Sequence, residues 1–257
     1  QLVADGELAV KPADPEKDNK FFYGWLTPDG KIFDFSTPIT EDLVLKAGWA
    51  DVMVDGVAMP NGSYRGKYST TATTGRPSGS YAHYKDGVLT LYNYNNSYGS
   101  GIAFGEIDLT VVSTGEGNAV SCIVSDGEYV NLTIDGTATL NIGHELWTDN
   151  AIYIYDTVTF KCDTVIECID SVVVCDVEGF VVDGADVIIK GYADMAWANG
   201  IYGCEAPITV LDGSLYIYCE GGDTITDSYI TNPDRVTVYA NNNLDGVFTD
   251  DDIITKV

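Results

Sequence analysis

Hydrophobic and polar residues alternate in short segments through the second half of the chain, and Asp or Gly separates the segments. Residues 152–160, 165–174, 180–189 and 201–210 share one order: an apolar pair, an acidic or glycine turn, and a second apolar run. Alternation with a period of two predicts β-strands. One such copy cannot bury its own apolar face and must stack on the next, so the repetition predicts an all-β solenoid.

We interpret residues 51–257 as a right-handed parallel β-helix with an irregular entry segment that extends to about residue 87. Four residues should then point inward in stacked positions, namely Ile152, Ile166, Phe180 and Ile201. Some segments start about 14 residues apart and others further, so we expect coils of variable length with loops extruded on one side.

Residues 1–50 have a different pattern and form a separate predicted unit. The dense aromatic segment 21–26 predicts a strand, and Thr27-Pro28-Asp29-Gly30 has the Pro and Gly positions of a type I turn. Residues 33–35 predict a second strand, and residues 43–49 a closing strand.

This unit resembles the Listeria-Bacteroides repeat, also called the internalin B-repeat. The matching elements are Pro12 and Pro15, Gly24-Trp25, Phe33-Asp34-Phe35, Thr37-Pro38-Ile39-Thr40, and Leu45, Ala47 and Trp49. The resemblance implies a small β-grasp-like spacer module in a surface-anchored bacterial protein, with no catalytic residue. The family's usual first strand has no counterpart after Gln1, so we expect the module to be truncated.

The entry to the predicted solenoid carries a second resemblance. Asp86-Gly87 leads into Val88-Leu89-Thr90-Leu91-Tyr92, which is similar to the start of β-helical repeats in surface proteins of Gram-positive gut bacteria. This implies a secreted protein that is associated with the cell surface or cell wall and acts in recognition or adhesion.

The net charge of the chain excludes some classes of binding partner. The chain has 39 acidic and 13 basic residues and a formal net charge of −26, which repels nucleic acids and anionic bilayers. No apolar run reaches the roughly 20 residues of a membrane span. We therefore expect neither nucleic-acid binding nor membrane insertion. The two resemblances imply an extracellular protein, and we expect it to be a monomer without a cofactor.

Cysteine and histidine spacing argues against a metal site. The six cysteines form no Cys-x-x-Cys pair, and His83 and His144 are the only histidines. The cysteines are interpreted as small apolar residues that fill inward positions, with a disulfide framework as the alternative.

A β-helix is also typical of polysaccharide lyases and glycosidases, which use carboxylates on the solenoid face. Here the carboxylates occur in turns, and Lys161 and Lys190 are the only basic residues between Lys85 and Arg235. No nucleophile elbow or phosphate-binding loop is present. We predict no catalytic residues and keep two alternatives open, a polysaccharide-active enzyme and a purely structural stalk.

The best candidate site is a binding site. Trp147 and Trp197 each precede an Asn, Asn150 and Asn199, that begins a predicted strand, so both indoles should lie on one side of the solenoid. The full candidate set is Trp147, Trp197, Tyr192, Asp149, Asp194 and Glu145. Indoles can stack on sugar rings while carboxylates accept bonds from hydroxyls, so a glycan or a host matrix protein is the expected partner.

Two alternatives accompany this site. Each indole can instead fold back and cover a coil. A second candidate is the tyrosine-rich stretch that contains Tyr81, Tyr84, Tyr92, Tyr94 and Tyr98, although strand propensity explains these tyrosines equally well.

Overall fold

The chain is an all-β protein whose main body is a β-solenoid of about 6 turns. The computed structural model describes residues 1–125, 127–144, 149–193, 198–220, 224–241 and 253–256. In these ranges the only helix is a 3-10 helix at Pro233–Arg235, and none has the length and apolar character needed to cross a bilayer.

The strands follow in chain order. They are β1 (Phe21–Leu26), β2 (Lys46–Ala50), β3 (Val52–Val54), β4 (Val57–Met59), β5 (Ser63–Gly66), β6 (Tyr81–Lys85), β7 (Val88–Tyr92), β8 (Asn95–Asn96), β9 (Ile102–Phe104), β10 (Leu109–Thr114), β11 (Asn118–Val120), β12 (Ile123–Ser125), β13 (Leu132–Gly136), β14 (Leu140–Gly143), β15 (Ile152–Tyr153), β16 (Thr157–Phe160), β17 (Thr164–Ile169), β18 (Val172–Val177), β19 (Gly179–Tyr192), β20 (Asn199–Glu220), β21 (Ile225–Ile230), β22 (Val236–Asn241) and β23 (Ile253–Lys256).

Parallel pairing from β7 onward arranges the coils on three faces. The first face contains β7, β10, β13 and β16, the second β8, β11, β14 and β17, and the third β9, β12, β15 and β18. The longer β19 continues from the first face to the second, and β20 runs across all three. Residues bonded between neighbouring coils are typically 22 to 28 positions apart.

Apolar columns fill the interior. They are Leu109, Leu132, Val158, Phe180 and Ile208 on the first face, Ile142, Ile166, Ile189 and Ile217 on the second, and Ile102, Ile123, Ile152, Val174 and Ile201 on the third. All are buried. The stacking of coils therefore removes from water the apolar face that each strand presents.

The four residues predicted to point inward all do so, and each is fully buried. Ile152 and Ile201 share a column on the third face, whereas Ile166 is on the second face and Phe180 on the first. The spacing of about 14 residues is therefore not a coil repeat. It joins strands on different faces, because one coil needs three strands and three turns.

The entry segment is more ordered than predicted. Strands β3 and β4 form an antiparallel hairpin, and β3 pairs with β9 of the first coil. Strands β5, β6 and β7 form an antiparallel sheet, so β6 covers the open edge of β7. The segment thus caps the first coil, which has no earlier coil to pair with.

The N-terminal unit contains one antiparallel pair, β1 with β2. Phe22 contacts Trp25 and Trp49 edge to face, each with ring centroids 5.7 Å apart. The prediction of a strand at residues 33–35 was wrong, since only Ile32 forms an isolated bridge there. Residues 1–50, all described, contain no helix. This arrangement does not confirm a β-grasp-like module.

All six cysteines are free. Cys122, Cys162, Cys168 and Cys219 are buried, as predicted for core residues, whereas Cys204 is exposed. Burial raises the pKa of Cys162 to about 11 and that of Cys219 to about 12. These two thiols therefore stay protonated near neutral pH and pack as apolar groups.

Candidate functional site

Four residues of the predicted site lie outside the described residues: Glu145, Trp147, Asp194 and Trp197. The other two are described. Asp149 is exposed just before β15, and Tyr192 is the part-exposed last residue of β19. The strands that precede and follow both tryptophan segments in the chain are also described.

These flanking strands end and begin at one corner of the solenoid, where the second face turns into the third, and we call the ends of β14 and β19 the departure points. In the chain, the first tryptophan segment begins after β14 and ends before β15, and the second begins after β19 and ends before β20. Gly143 pairs with Glu167, which pairs with Lys190, so the departure points are two coils apart. At a coil spacing of about 4.8 Å this is roughly 10 Å. The predicted equivalence of the strand starts near Asn150 and Asn199 is confirmed.

The intervening coil joins the two departure points by hydrogen bonds. Ser171 Oγ donates to Asn150 Oδ1 at 3.0 Å, and the Asn199 amide donates to the Ser171 carbonyl at 3.1 Å. The Asp170 amide donates to the Tyr192 carbonyl at 2.8 Å. The described residues on either side of both tryptophan segments are therefore joined to one another at this corner.

The outer surface of the second face meets the corner and carries aromatic and charged side chains. We call this surface the second-face strip and define it as Glu167, Lys190, Tyr192, Tyr216 and Tyr218. Lys190 pairs with Glu167 in one neighbouring coil and with Tyr218 in the other. All five side chains are part-exposed, whereas the residues between them are buried.

The strip holds a fixed charge pair. Lys190 Nζ donates to Glu167 Oε1 at 2.6 Å. Burial lowers the pKa of Lys190, but the hydrogen bond and negative charge of Glu167 outweigh it, and the net shift is upward. Lys190 therefore remains an ammonium donor beside the tyrosine rings. Its partner carboxylate keeps lone pairs that can accept bonds from hydroxyls.

Glu167, Lys190, Tyr216 and Tyr218 were not predicted as site residues from the sequence. The alternation of part-exposed and buried positions did indicate that Tyr216 and Tyr218 share the outer side of one strand, and that Lys190 and Tyr192 share the outer side of another. Joining those strands required the register of β19 and β20, whose bonded residues lie as far as 28 positions apart. Alternation alone does not fix that register.

The tyrosine-rich stretch separates into different environments. Tyr84 and Tyr94 are buried, Tyr81 and Tyr92 stack on each other with ring centroids 5.3 Å apart, and Tyr98 is exposed beside His144. The five tyrosines are therefore not one site. Among the described residues, no three His, Cys, Asp or Glu side chains lie close enough together to hold a metal ion.

Comparison with known proteins gave no match, since neither a family model nor a curated protein nor a solved structure is similar to this chain. The resemblance of residues 1–50 to the Listeria-Bacteroides repeat therefore stays a prediction. What the chain binds must be argued from its fold and from the chemistry of its surface.

Proposed function

We propose that this protein is a bacterial cell-surface recognition protein that binds a carbohydrate at the corner between the second and third faces and catalyses no reaction. One observation supports the proposal most. The described strands that flank Trp147 and Trp197 in the chain end and begin at the same corner two coils apart, directly beside the second-face strip. A ligand at this corner would contact both segments and the strip.

The side chains of the strip suit a sugar. A pyranose ring has apolar C–H faces that stack on aromatic rings, and its hydroxyls donate and accept hydrogen bonds. Tyr192 and Tyr218 supply the rings, Lys190 supplies a donor, and Glu167 an acceptor. Departure points roughly 10 Å apart allow the two indoles to reach rings of one oligosaccharide.

The non-catalytic part of the proposal is supported by the carboxylates in the turns. Asp135 Oδ1 accepts the Gly136 amide at 2.6 Å, and Asp212 Oδ1 accepts the Gly213 amide at 3.0 Å. Asp170 and Asp176 have positive φ values of 49° and 61°. These are the geometries for which Asp is preferred in tight turns, so these carboxylates have a structural role.

The experiment is a glycan array with the purified chain and two double variants, Trp147→Ala with Trp197→Ala and Tyr192→Ala with Tyr218→Ala. Each lost stacking contact should weaken binding by about 1 kcal/mol, roughly fivefold. Both double variants should lose retention on a glycan that the wild type retains, while the thermal midpoint stays unchanged.

Matched controls are Tyr129→Ala and Tyr229→Ala, which remove exposed tyrosines elsewhere on the chain. They should retain the glycan. If the wild type retains no glycan and the double tryptophan variant unfolds several degrees earlier, the indoles are core residues and the chain is a structural stalk. Release of new reducing ends from a retained glycan would instead identify an enzyme.

A further inference from the structure

The segment 56–85 differs in charge from the rest of the chain. It contains no Asp or Glu, although the whole chain has 39 of them. It does contain four basic residues, Arg65, Lys67, Arg76 and Lys85. The structure places this segment in the antiparallel sheet that caps the first coil. The cap is therefore a local region of positive charge on a strongly acidic protein.

Aromatic rings line the outer side of this sheet, where Tyr64, His83 and Tyr92 are part-exposed and Tyr81 is only 8% exposed. Tyr64 stacks on His83 with ring centroids 4.0 Å apart, and Tyr81 stacks on Tyr92 at 5.3 Å. Tyr64 and Tyr81 join the two pairs edge to face at 5.6 Å. The Arg76 guanidinium lies 5.0 Å from the Tyr81 ring and 5.9 Å from the Tyr92 ring. We call these five residues the cap patch.

Backbone hydrogen bonds hold the loop that carries Arg76. The Tyr64 amide donates to the Thr73 carbonyl at 2.7 Å, and the Thr73 amide donates to the Tyr64 carbonyl at 2.8 Å. At the start of the loop, buried Arg65 donates from Nη1 to the Lys67 carbonyl at 3.1 Å. The loop is fixed against the edge of β5, so Arg76 is held beside the rings.

The positive charge of the cap is not neutralised within the described chain. Lys67, Arg76 and Lys85 form no ion pair with a described residue, and Arg76 is exposed. The two flanking acids, Asp55 and Asp86, each bond to another residue of the cap, and neither pairs with Lys67, Arg76 or Lys85. Asp55 pairs with buried Arg65, and Asp86 Oδ1 accepts a bond from Asn61 Nδ2 at 2.8 Å.

We propose that the cap patch binds an anionic polysaccharide, with a sugar ring against the tyrosines and its acidic group on Arg76. A guanidinium binds a carboxylate or sulfate through two parallel hydrogen bonds, and Lys67 and Lys85 add attraction for a polyanion. A sugar ring supplies the apolar face that the tyrosine rings require.

The cap patch is too small for a specific protein interface, which favours a polysaccharide over an acidic protein as its ligand. A specific protein interface buries about 800 Å² on each partner. Five side chains on one small sheet fall short of that, and acidic surface surrounds them. A sugar polymer needs only one ring and one acidic group per contact, and many weak contacts along a polymer sum to strong binding.

This site is independent of the proposed corner site. It lies on the cap of the first coil, whereas the tryptophan segments follow β14 and β19 in the chain. Arg76→Ala therefore should not affect glycan retention at the corner. Tyr192→Ala with Tyr218→Ala should not affect the cap.

The test is affinity electrophoresis of the chain through gels that contain polygalacturonate, dextran sulfate, neutral dextran or poly-glutamate. We expect retardation by polygalacturonate or dextran sulfate, little by neutral dextran, and none by poly-glutamate. Arg76→Ala should weaken the interaction about tenfold, the size of a lost charge-assisted hydrogen bond. The interaction should also weaken as salt rises.

The matched control is Arg235→Ala, which removes the same charge from an exposed ion pair with Asp212 at the other end of the chain. It should bind as the wild type does. The proposal fails if the wild type is retarded by neither anionic polysaccharide, or if Arg235→Ala weakens binding as much as Arg76→Ala. Equal retardation by poly-glutamate would identify an acidic-chain partner and also overturn it.

Discussion

The first two coils and the later coils fill the same interior with different chemistry. On the second face, Asn118 of the second coil pairs with Leu140, and the column continues as Thr164, Val187 and Leu215. Asn118 is only 1% exposed, as buried as the residues that follow it. The later coils depend mainly on apolar area, whereas the first two coils also bury polar groups that hydrogen-bond to each other.

The reason lies in what covers the first coil. Strand β6 covers its first face and β3 its third, but β8 on the second face has only two residues. No earlier coil supplies hydrogen-bond acceptors to this face of the first coil, and the Asp55 carboxylate supplies them instead. Oδ2 accepts the Tyr94 hydroxyl at 2.5 Å and Asn96 Nδ2 at 2.7 Å, and Oδ1 accepts the Gly101 amide at 2.9 Å.

Arg65 balances this carboxylate in the interior. Its Nη1 lies 3.3 Å from Asp55 Oδ2, with both side chains about 6% exposed. Burial lowers the pKa of Arg65, and the charge of Asp55 opposes that shift. One buried ion pair thus closes this end of the solenoid, although the buried Arg65 Nε has no hydrogen-bond partner among the described residues.

The largest expected effect follows from removing Asp55. The Asp55→Ala variant leaves Arg65 as an uncompensated buried charge and removes the acceptor for Tyr94 and Asn96. Loss of one partner of a buried pair costs about 3–5 kcal/mol. Chemical denaturation monitored by tyrosine and tryptophan fluorescence should show this loss in the free energy of unfolding.

The control is Lys11→Ala, which breaks an ion pair with Asp14 whose two side chains are 53% and 56% exposed. It should leave the denaturation midpoint unchanged, because solvent screens an exposed pair. If Asp55→Ala and Lys11→Ala had equal effects, the buried pair would not be what closes the first coil.

A smaller effect should follow when Asn118 in the second coil is replaced by leucine, the residue at the equivalent position of the third coil. In Asn118→Leu, the buried Tyr94 amide loses its acceptor, Asn118 Oδ1, at 2.6 Å. Ser113 Oγ also loses the donor Asn118 Nδ2 at 2.7 Å. An unsatisfied buried polar group costs about 1–3 kcal/mol, so the variant should be less stable in urea although Leu occupies the equivalent position one coil later.

The matched substitution in the apolar coil is Leu140→Ile, which keeps the volume and breaks no hydrogen bond. It should cost less than about 1.5 kcal/mol. A stabilised Asn118→Leu variant would mean that the two coils tolerate the same residues, and the contrast between them would disappear.

The apolar coils could be predicted from the sequence because the alternation of buried and exposed residues is a local property of each strand. Alternating burial within one strand, as in β10, is a property of neighbouring residues and is visible in the sequence. The group of polar residues around Asp55 that closes the first coil was not visible in the sequence, because Asp55 accepts hydrogen bonds from residues 39 to 46 positions away. The length of one coil could not be read from the spacing of about 14 residues for a related reason, because three faces with similar strands repeat the pattern within each coil.

The candidate sites show the same limit. The sequence indicated that Trp147 and Trp197 precede equivalent strands, which the pairing of the flanking strands confirms. It did not join Lys190 to Glu167 and Tyr218, which are partners only through the coil register. The absence of acidic residues from segment 56–85 is visible in the sequence, but only the antiparallel sheet joins Tyr64, Tyr81 and Tyr92.

The smallest expected effect is a pH dependence that the cap contributes through His83. Burial, and then the charge of Lys85, lower the pKa of His83 below its ordinary value of 6.5. The unfolded chain therefore binds a proton at a pH where the folded chain does not. The resulting stability is present above about pH 6.5 and is lost as the pH falls through the folded pKa.

Urea midpoints measured from about pH 7.5 to pH 5 should decrease for the wild type and decrease less for His83→Gln. The difference should be small, because His83 is part-exposed and solvent screens its charge. Equal slopes in the two proteins would show that the carboxylates alone set the pH dependence, and that the aromatic stack of the cap tolerates a protonated imidazole.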